Sequence, residues 1–369
     1  MKKIVALLLS MTLVTGMLTA CGGAKTEPEQ AAPAQTEETT AEETTTEETA
    51  QTEEAAPAGD AQAAKTGLAV SSSIAKSTAA GEEDGQAQVD SLVAAVLVGA
   101  DGKILSCRID AAQTQIKFSA EGKLLTDLAS TFKSKQELGT EYGMAKASGI
   151  GKEWNEQADA FAAYVVGKTV DEVKGIAVNE EGVPTDADLT SSVTIHVGDF
   201  IATVEKAVAN AKELGAMSTD KLGMAVSTEI SKSTDATAEE AGLAQAYSTY
   251  SVVTTDADGK ITSCYIDASQ GNVNFDTKGA LTSDLAAAPA TKQELGNDYG
   301  MKKASAIGKE WFEQADAFAA YVTGKAAADV TGIAVNEEGL AADVDLISSV
   351  TVHVGPFISI VEKAAANAK

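Results

Sequence analysis

Histidine and cysteine, which most often bind metals or act in catalysis, are scarce in this chain. Two histidines and three cysteines occur among 369 residues. The sequence contains no zinc-ligand spacing, nucleophile triad, phosphate loop, dinucleotide fingerprint or EF-hand pattern. We therefore predict that the protein is not an enzyme that works through clusters of these residues.

Basic residues are also few. Lys and Arg number 28 against 54 Asp and Glu, which gives a net charge of −26. This excess of negative charge argues against nucleic acid as a partner and against direct docking on anionic lipid. It is compatible with basic partners, with cations or with a positively charged redox protein.

The first apolar run is short and lies at the N-terminus. Two lysines precede an apolar stretch over residues 4–18, which is too short for a comfortable membrane-spanning helix. Residues 18–21 read Leu-Thr-Ala-Cys and resemble the lipobox of bacterial lipoproteins. The resemblance implies that residues 1–20 are a signal peptide and that Cys21 carries lipid, which would anchor the protein on the extracytoplasmic face of the cell membrane. The alternative is an ordinary secretory signal that contains a cysteine.

Aromatic and large aliphatic side chains are almost absent from residues 21–66. This segment consists mainly of Ala, Thr, Glu, Gln and Pro, so it cannot bury enough apolar surface to offset its ordering entropy. We expect a disordered acidic tether after the lipidated cysteine. It would let the protein work at a distance from the membrane, or serve only as a solubilising stalk.

The remainder of the chain is an internal duplication. Residues 136–201 match residues 293–358 at most positions, with a constant offset of 157 residues. This period is far longer than that of solenoid repeats, so it indicates two whole domains. We place repeat 1 at 67–215 and repeat 2 at 222–369, and the short connection predicts that they stay close neighbours.

Local patterns in each repeat predict strands first and helices later. Residues 91–98 and 104–110 are strand-like and flank an Asp-Gly turn signal, which predicts a β-hairpin. Residues 115–118 predict another short strand. Apolar residues then recur at helical spacing from Trp154 onward, and Trp154 should belong to the core.

A further strand and helix are expected near the end of each repeat. Val193, Ile195 and Val197 alternate as in a strand, and the segment around Phe200 has helical spacing. The fold class is therefore α+β: two tandem copies of a small antiparallel sheet with helices packed on one side.

One cysteine remains in each repeat, at matching positions. Cys107 and Cys264 lie on the apolar faces of predicted strands. We interpret them as small buried hydrophobic residues, with a reactive thiol or an inter-domain disulfide as the alternatives.

Two short segments combine small residues with a threonine. Residues 188–194 read DLTSSVT and residues 345–351 read DLISSVT, each before a predicted helix. Nothing bulky shields the last hydroxyl, and a helix N-terminus nearby offers N–H groups to a phosphate. The candidate site residues are Asp188, Ser191, Ser192 and Thr194 in repeat 1 and Asp345, Ser348, Ser349 and Thr351 in repeat 2.

These segments resemble the attachment motif of the small FMN-binding domain found in flavinylated subunits of ion-translocating electron-transport complexes. The family motif is Asp, two variable residues, Ser or Thr, Gly or Ser, Ala, and the Ser or Thr that carries FMN through its phosphate. Val193 and Val350 stand where the family has alanine. With the lipobox and tether, the chain is also similar to flavinylated surface lipoproteins of Gram-positive extracellular electron transfer.

The resemblance implies FMN bound covalently to Thr194 and to Thr351 by a flavin transferase. It implies an extracytoplasmic electron carrier that takes electrons from a membrane oxidoreductase and passes them to an external acceptor. The alternative is a surface lipoprotein without flavin that acts as a binding or scaffolding module, and the two valines favour it.

The remaining candidates have two interpretations each. His196 and His353 follow the threonines by two residues and would either tune a bound flavin or be half-buried strand histidines. Asp188 and its counterpart would orient the motif or cap a turn. Tyr142 and Tyr299 would stack on a flavin ring or, as we favour, pack in the core.

Overall fold

Residues 61–369 are described by the computed structural model, and they fold into two similar halves. The predicted signal peptide, Cys21 and most of the predicted tether lie outside the described residues. Strand β1 begins at Lys65, within the last two residues that we allotted to the tether. No helix within residues 61–369 has the length and apolarity that a membrane span requires.

Repeat 1 contains three strands and five helices. The strands are β1 (Lys65–Ser73), β2 (Gly85–Val98) and β3 (Ile104–Phe118). The helices are α1 (Lys135–Leu138), α2 (Trp154–Val165), α3 (Val170–Lys174), α4 (Ala187–Thr190) and α5 (Gly198–Ala209), with a 3-10 turn at Gly139–Tyr142.

Repeat 2 follows the same order but has no regular helix in the place of α4. Its strands are β4 (Lys221–Glu229), β5 (Gly242–Thr255) and β6 (Ile261–Phe275). Its helices are α6 (Lys292–Leu295), α7 (Trp311–Val322), α8 (Ala327–Thr331) and α9 (Gly355–Ala366), with 3-10 turns at Gly296–Tyr299 and Met301–Lys303.

Each repeat forms a three-stranded antiparallel sheet with neighbouring strands in sequence order. The predicted hairpin is confirmed, and Gly102 occupies its turn with a φ of 78°, a conformation that favours glycine. The prediction of a separate strand at residues 115–118 is wrong. It is the end of β3, because the small residues before it, such as Ala112, remain in register with β2.

Helices α2 and α5 cover one face of the first sheet, as predicted. Trp154 and Phe161 of α2 meet the ring of Phe200 from α5 edge-on, at centroid distances of 5.7 and 5.5 Å. All three side chains are buried. Gly67 lets β1 approach α5 closely, since a Cβ atom there would lie 2.1 Å from the carbonyl oxygen of Ala207.

The predicted strand at residues 193–197 is wrong. Val193 closes a turn by donating its N–H to the carbonyl of Leu189 at 2.8 Å, and Val197 immediately precedes α5. Both valines are fully buried in the helix-side core. Their spacing reflects a loop pinned to the core at two points, not an extended chain.

The second face of each sheet packs against the other sheet, so the described chain has four layers: helices, sheet, sheet, helices. Two apolar clusters between the sheets draw residues from both repeats. Phe118 and Phe275 stack there with centroids 4.2 Å apart and planes 8° apart. Tyr250 is completely buried in the same layer. The prediction that the repeats stay close neighbours is confirmed.

Two ion pairs between the repeats are matched, as an approximate two-fold relation predicts. Lys363 forms an ion pair with Glu137 at 2.8 Å, and Lys206 forms the equivalent pair with Glu294. The chain that leads from α5 toward repeat 2 also joins the first sheet, since Thr66 exchanges backbone hydrogen bonds with Lys212, and Ala64 donates to the carbonyl of Ala216. The repeats therefore form one packed body.

The two described cysteines are buried and not bonded to each other. Burial raises the thiol pKa of Cys107 and of Cys264 to about 12. Both thiols are therefore protonated at neutral pH, and their interpretation as small buried hydrophobic residues is confirmed.

Candidate functional site

The predicted threonine site lies in the loop between α4 and α5 and is built in the same way in both repeats. Thr194 and Thr351 are each half-buried, and each is followed four residues later by the first residue of a twelve-residue helix. The loop thus brings a partly accessible hydroxyl close to a helix N-terminus.

A buried glutamine fixes the position of each threonine. Gln157, which is fully buried on α2, accepts hydrogen bonds from the N–H of Thr194 at 2.9 Å and from its hydroxyl at 3.4 Å. The amide group of Gln157 donates to the Ser148 hydroxyl and the Lys152 carbonyl, both at 3.1 Å. Gln157 was not among the residues predicted from sequence, although a polar side chain on an apolar helix face was a usable signal.

Repeat 2 has the same arrangement with one more hydrogen bond. Gln314 accepts from the N–H of Thr351 at 2.7 Å, from its hydroxyl at 3.3 Å and from the N–H of Val352 at 3.2 Å. Each threonine is therefore oriented by a buried side chain whose own amide nitrogen is held by two hydrogen bonds.

The valines that replace the family alanine point away from the hydroxyls. Val193 and Val350 are 0% and 1% exposed and belong to the helix-side cores. Their extra methyl groups are thus packed inside the protein and do not cover the threonine oxygen. The departure from the motif has a packing cause.

The two serines of each motif differ in what they can offer a ligand. Ser192 donates its hydroxyl to the carbonyl of Leu189 at 3.1 Å, and Ser349 does the same to Leu346. Ser191 and its counterpart Ser348 are exposed. Within residues 61–369 their side chains make no hydrogen bond. Of the four motif serines, these two therefore have a free hydroxyl donor, whereas Ser192 and Ser349 do not.

The turn-capping role that we considered for Asp188 belongs to Asp186. The Asp186 carboxylate accepts from the Asp188 N–H at 2.9 Å and from the Tyr164 hydroxyl at 2.9 Å, and these contacts lower its pKa. Asp343 repeats the arrangement in repeat 2. Asp188 and Asp345 are exposed, and within the described chain their carboxylates contact no motif residue by hydrogen bond.

Both histidines are exposed and lie outside any strand, so the half-buried strand interpretation is wrong. A Cβ atom on Gly182 would lie 2.4 Å from the ring of His196, and one on Gly339 would lie 3.0 Å from the ring of His353. Both glycines have positive φ, 71° and 75°. Each imidazole therefore rests on a glycine turn, close in the chain to the candidate threonine.

The helix N-termini after the two sites are not identical. Asp199 lies in the first turn of α5, whereas Pro356 occupies the matching place in α9. A helix start favours an anion through its unpaired N–H groups and its dipole. Asp199 supplies a negative charge there, and Pro356 lacks one N–H, so repeat 1 and repeat 2 present different surroundings to a phosphate.

Tyr142 and Tyr299 pack against the helix-side cores, which agrees with the favoured interpretation. A lysine ammonium covers each ring: Lys135 lies 4.6 Å from the Tyr142 centroid and Lys292 lies 4.6 Å from that of Tyr299. These rings are therefore engaged within the protein. Residues 61–369 contain no group of three His, Cys, Asp or Glu that could hold a metal ion.

Comparisons with known proteins return no relatives. No protein-family model matches the chain, and neither a curated protein nor a solved structure matches it. The resemblance to the FMN-binding domain accordingly rests on the motif residues of this sequence.

Proposed function

We propose that this protein is a membrane-anchored, extracytoplasmic electron carrier with FMN attached through its phosphate to Thr194 and Thr351. The observation that carries the proposal is the duplicated geometry: in both repeats a buried glutamine orients a partly accessible threonine hydroxyl beside a helix N-terminus. When bound, FMN would supply the redox chemistry, which the described residues do not themselves provide.

The residues around each threonine fit a phosphoester. The hydroxyl is accessible, and Ser191 or Ser348 has a free hydroxyl donor for a phosphate oxygen. First-turn N–H groups of α5 or α9 supply further donors. Val193 and Val350 face the core, so their methyl groups do not cover the oxygen.

Two FMN groups on one packed body would suit the relay of electrons from one flavin to the other. The lipid anchor implied by Cys21 and the acidic tether would keep the carrier at the membrane while it moves between a membrane oxidoreductase and an external acceptor. Attachment requires a flavin transferase as a partner. The proposal does not include nucleic acid as a partner.

The intact mass of the protein purified from its own host tests the proposal. We expect two additions, each equal to FMN less one water, together with flavin absorbance. Thr194→Ala and Thr351→Ala should each remove one addition, and the double variant should remove both. Thr190→Ala is the matched control, because Thr190 lies at the end of α4, four residues before Thr194, and its hydroxyl donates to the carbonyl of Ala187. An unmodified, colourless protein would contradict the proposal and favour the scaffolding alternative.

A further inference from the structure

A groove of about 650 Å³ opens in repeat 1 between the sheet and helices α2 and α5. Its lining includes Asp90, Lys135, Trp154, His196 and Asp199. Polar and charged side chains thus meet the rings of Trp154 and Phe200 on a single concave surface.

The start of α1 places Lys135 in this groove. Ser134 caps α1 and forms a capping box with Glu137, while Asp110 accepts a hydrogen bond from the N–H of Gln136 at 3.0 Å. The lysine that follows the cap is held over the rings of Tyr142 and Trp154. Its Nζ lies 4.6 and 5.2 Å from their centroids.

The equivalent position in repeat 2 already contains an aromatic ring. Tyr247 replaces Asp90 and its hydroxyl accepts a hydrogen bond from Lys292 Nζ at 2.9 Å. The same Nζ lies 4.5 Å from the centre of the Tyr247 ring, and it also faces Tyr299 and Trp311 at 4.6 and 5.0 Å. Lys292 is only 4% exposed. A phenol ring therefore completes the enclosure of this lysine.

In repeat 1 that ring is missing. The carboxylate of Asp90 is engaged with Lys76 at 2.9 Å and with Gln88 at 3.0 Å. Lys135 is half-buried, and within residues 61–369 its Nζ has no hydrogen-bond acceptor or acidic partner. One repeat thus shows the enclosed arrangement, and the other shows the same lysine with an open groove above it.

We propose that the groove of repeat 1 binds a small phenol- or quinone-type ring from solution, in the position that the Tyr247 ring occupies in repeat 2. The ring oxygen accepts a hydrogen bond from Lys135, and the ring face contacts its ammonium group. Uncharged rings suit the groove, because its lining contains two lysines, Lys76 and Lys135, and two aspartates, Asp90 and Asp199, so its charges balance. The proposal does not require flavin at Thr194, but the groove includes His196 and Asp199, which lie close to Thr194 in the chain, so binding is tested on protein without an attached group.

The two tryptophans of the chain provide one reporter for each repeat. Trp154 lines the groove and Trp311 lies beside Lys292. We would follow both indole N–H resonances by NMR in the full chain carrying Thr194→Ala, so that no attached group competes. The probe is p-cresol, which is the tyrosine side chain as a free molecule, and the control is toluene, which lacks the hydroxyl.

We expect p-cresol to shift the Trp154 resonance saturably, with a dissociation constant on the order of 1 mM for so small a ligand. Toluene should bind at least tenfold more weakly, and the Trp311 resonance should not move. A Trp154 response that fails to saturate, or an equal response to toluene, would overturn the proposal.

Exchanging the residue that distinguishes the repeats gives a second test. Asp90→Tyr should fill the groove and weaken p-cresol binding at least tenfold, whereas Asp90→Asn should leave binding within about twofold. Tyr247→Asp should make the Trp311 resonance respond. Lys135→Met, which keeps the volume and removes the donor, gives the same tenfold loss if Asp90→Tyr does not fold. Undiminished binding by folded Asp90→Tyr or by Lys135→Met would refute the site.

Discussion

Replacing Gln157 by leucine should destabilise repeat 1 strongly, because this side chain connects the candidate site to the core. The substitution removes the bonds to the N–H and hydroxyl of Thr194 and those to Ser148 and Lys152. A net hydrogen bond contributes about 1 kcal/mol, and a buried group left unpaired costs about 1–3 kcal/mol. We therefore expect the free energy of unfolding to fall by about 3–4 kcal/mol.

Gln314→Leu should cost about 1 kcal/mol more than Gln157→Leu, since Gln314 also accepts from Val352. The matched control is Asn155→Phe. Asn155 lies on the same helix, its side-chain oxygen has no hydrogen-bond partner, and repeat 2 carries Phe312 at this position. We expect this control to change stability by less than about 1 kcal/mol.

Urea unfolding of the three variants measures these differences, and amide hydrogen exchange locates them. In Gln157→Leu the amide of Thr194 should exchange faster, while that of Thr351 should not change. If the protein also loses the flavin addition at Thr194 alone, the glutamine positions the acceptor hydroxyl. A loss of less than 1 kcal/mol in both leucine variants, with unchanged exchange at Thr194, would refute the role that we assign to this glutamine.

Three further predictions address the core, the pH response and the turn under the imidazole. Phe118→Ala should lower the free energy of unfolding by about 3–5 kcal/mol in urea titrations, because the ring is fully buried and stacked on Phe275. Burial raises the pKa of Asp267 from 3.8 to about 7, so the folded protein binds the proton more tightly and its stability should fall as pH rises from about 4 to 7. Urea titrations at pH 5 and pH 8 should show a decline on the order of 2 kcal/mol that Asp267→Asn reduces, and an unchanged decline would contradict this. Gly182→Ala should lower the melting temperature in thermal unfolding, since alanine disfavours the φ of 71° and its methyl group would collide with His196, and an unchanged melting temperature would contradict both causes.

The elements that were predicted correctly carry their signals locally. The Asp-Gly turn marks the hairpin, and the apolar face that begins at Trp154 marks α2. The end of β3 was split from its beginning because small residues such as Ala112 interrupt the usual strand pattern. They are small because the opposing sheet lies close, and one sequence pattern does not show that second layer.

The threonines of the candidate site were predicted from the sequence, but the residues that hold them in place were not. Val193 and Val197 alternate like strand residues because a loop is pinned at both positions, and only tertiary packing distinguishes the two cases. Gln157 lies 37 residues before Thr194 in the chain, so its role depends on a long-range contact. The difference between Asp90 and Tyr247 likewise gains meaning only from the fold, which brings a distant lysine, Lys135 or Lys292, near each position.

The shared layer between the two sheets has an evolutionary consequence. A gene for one repeat would encode a half whose apolar sheet face needs a twin, so the ancestral protein would have assembled as a homodimer at sufficient concentration. Joining two copies in tandem makes that pairing independent of concentration. It also frees each half to acquire its own substitutions, since a change in one no longer appears automatically in the other.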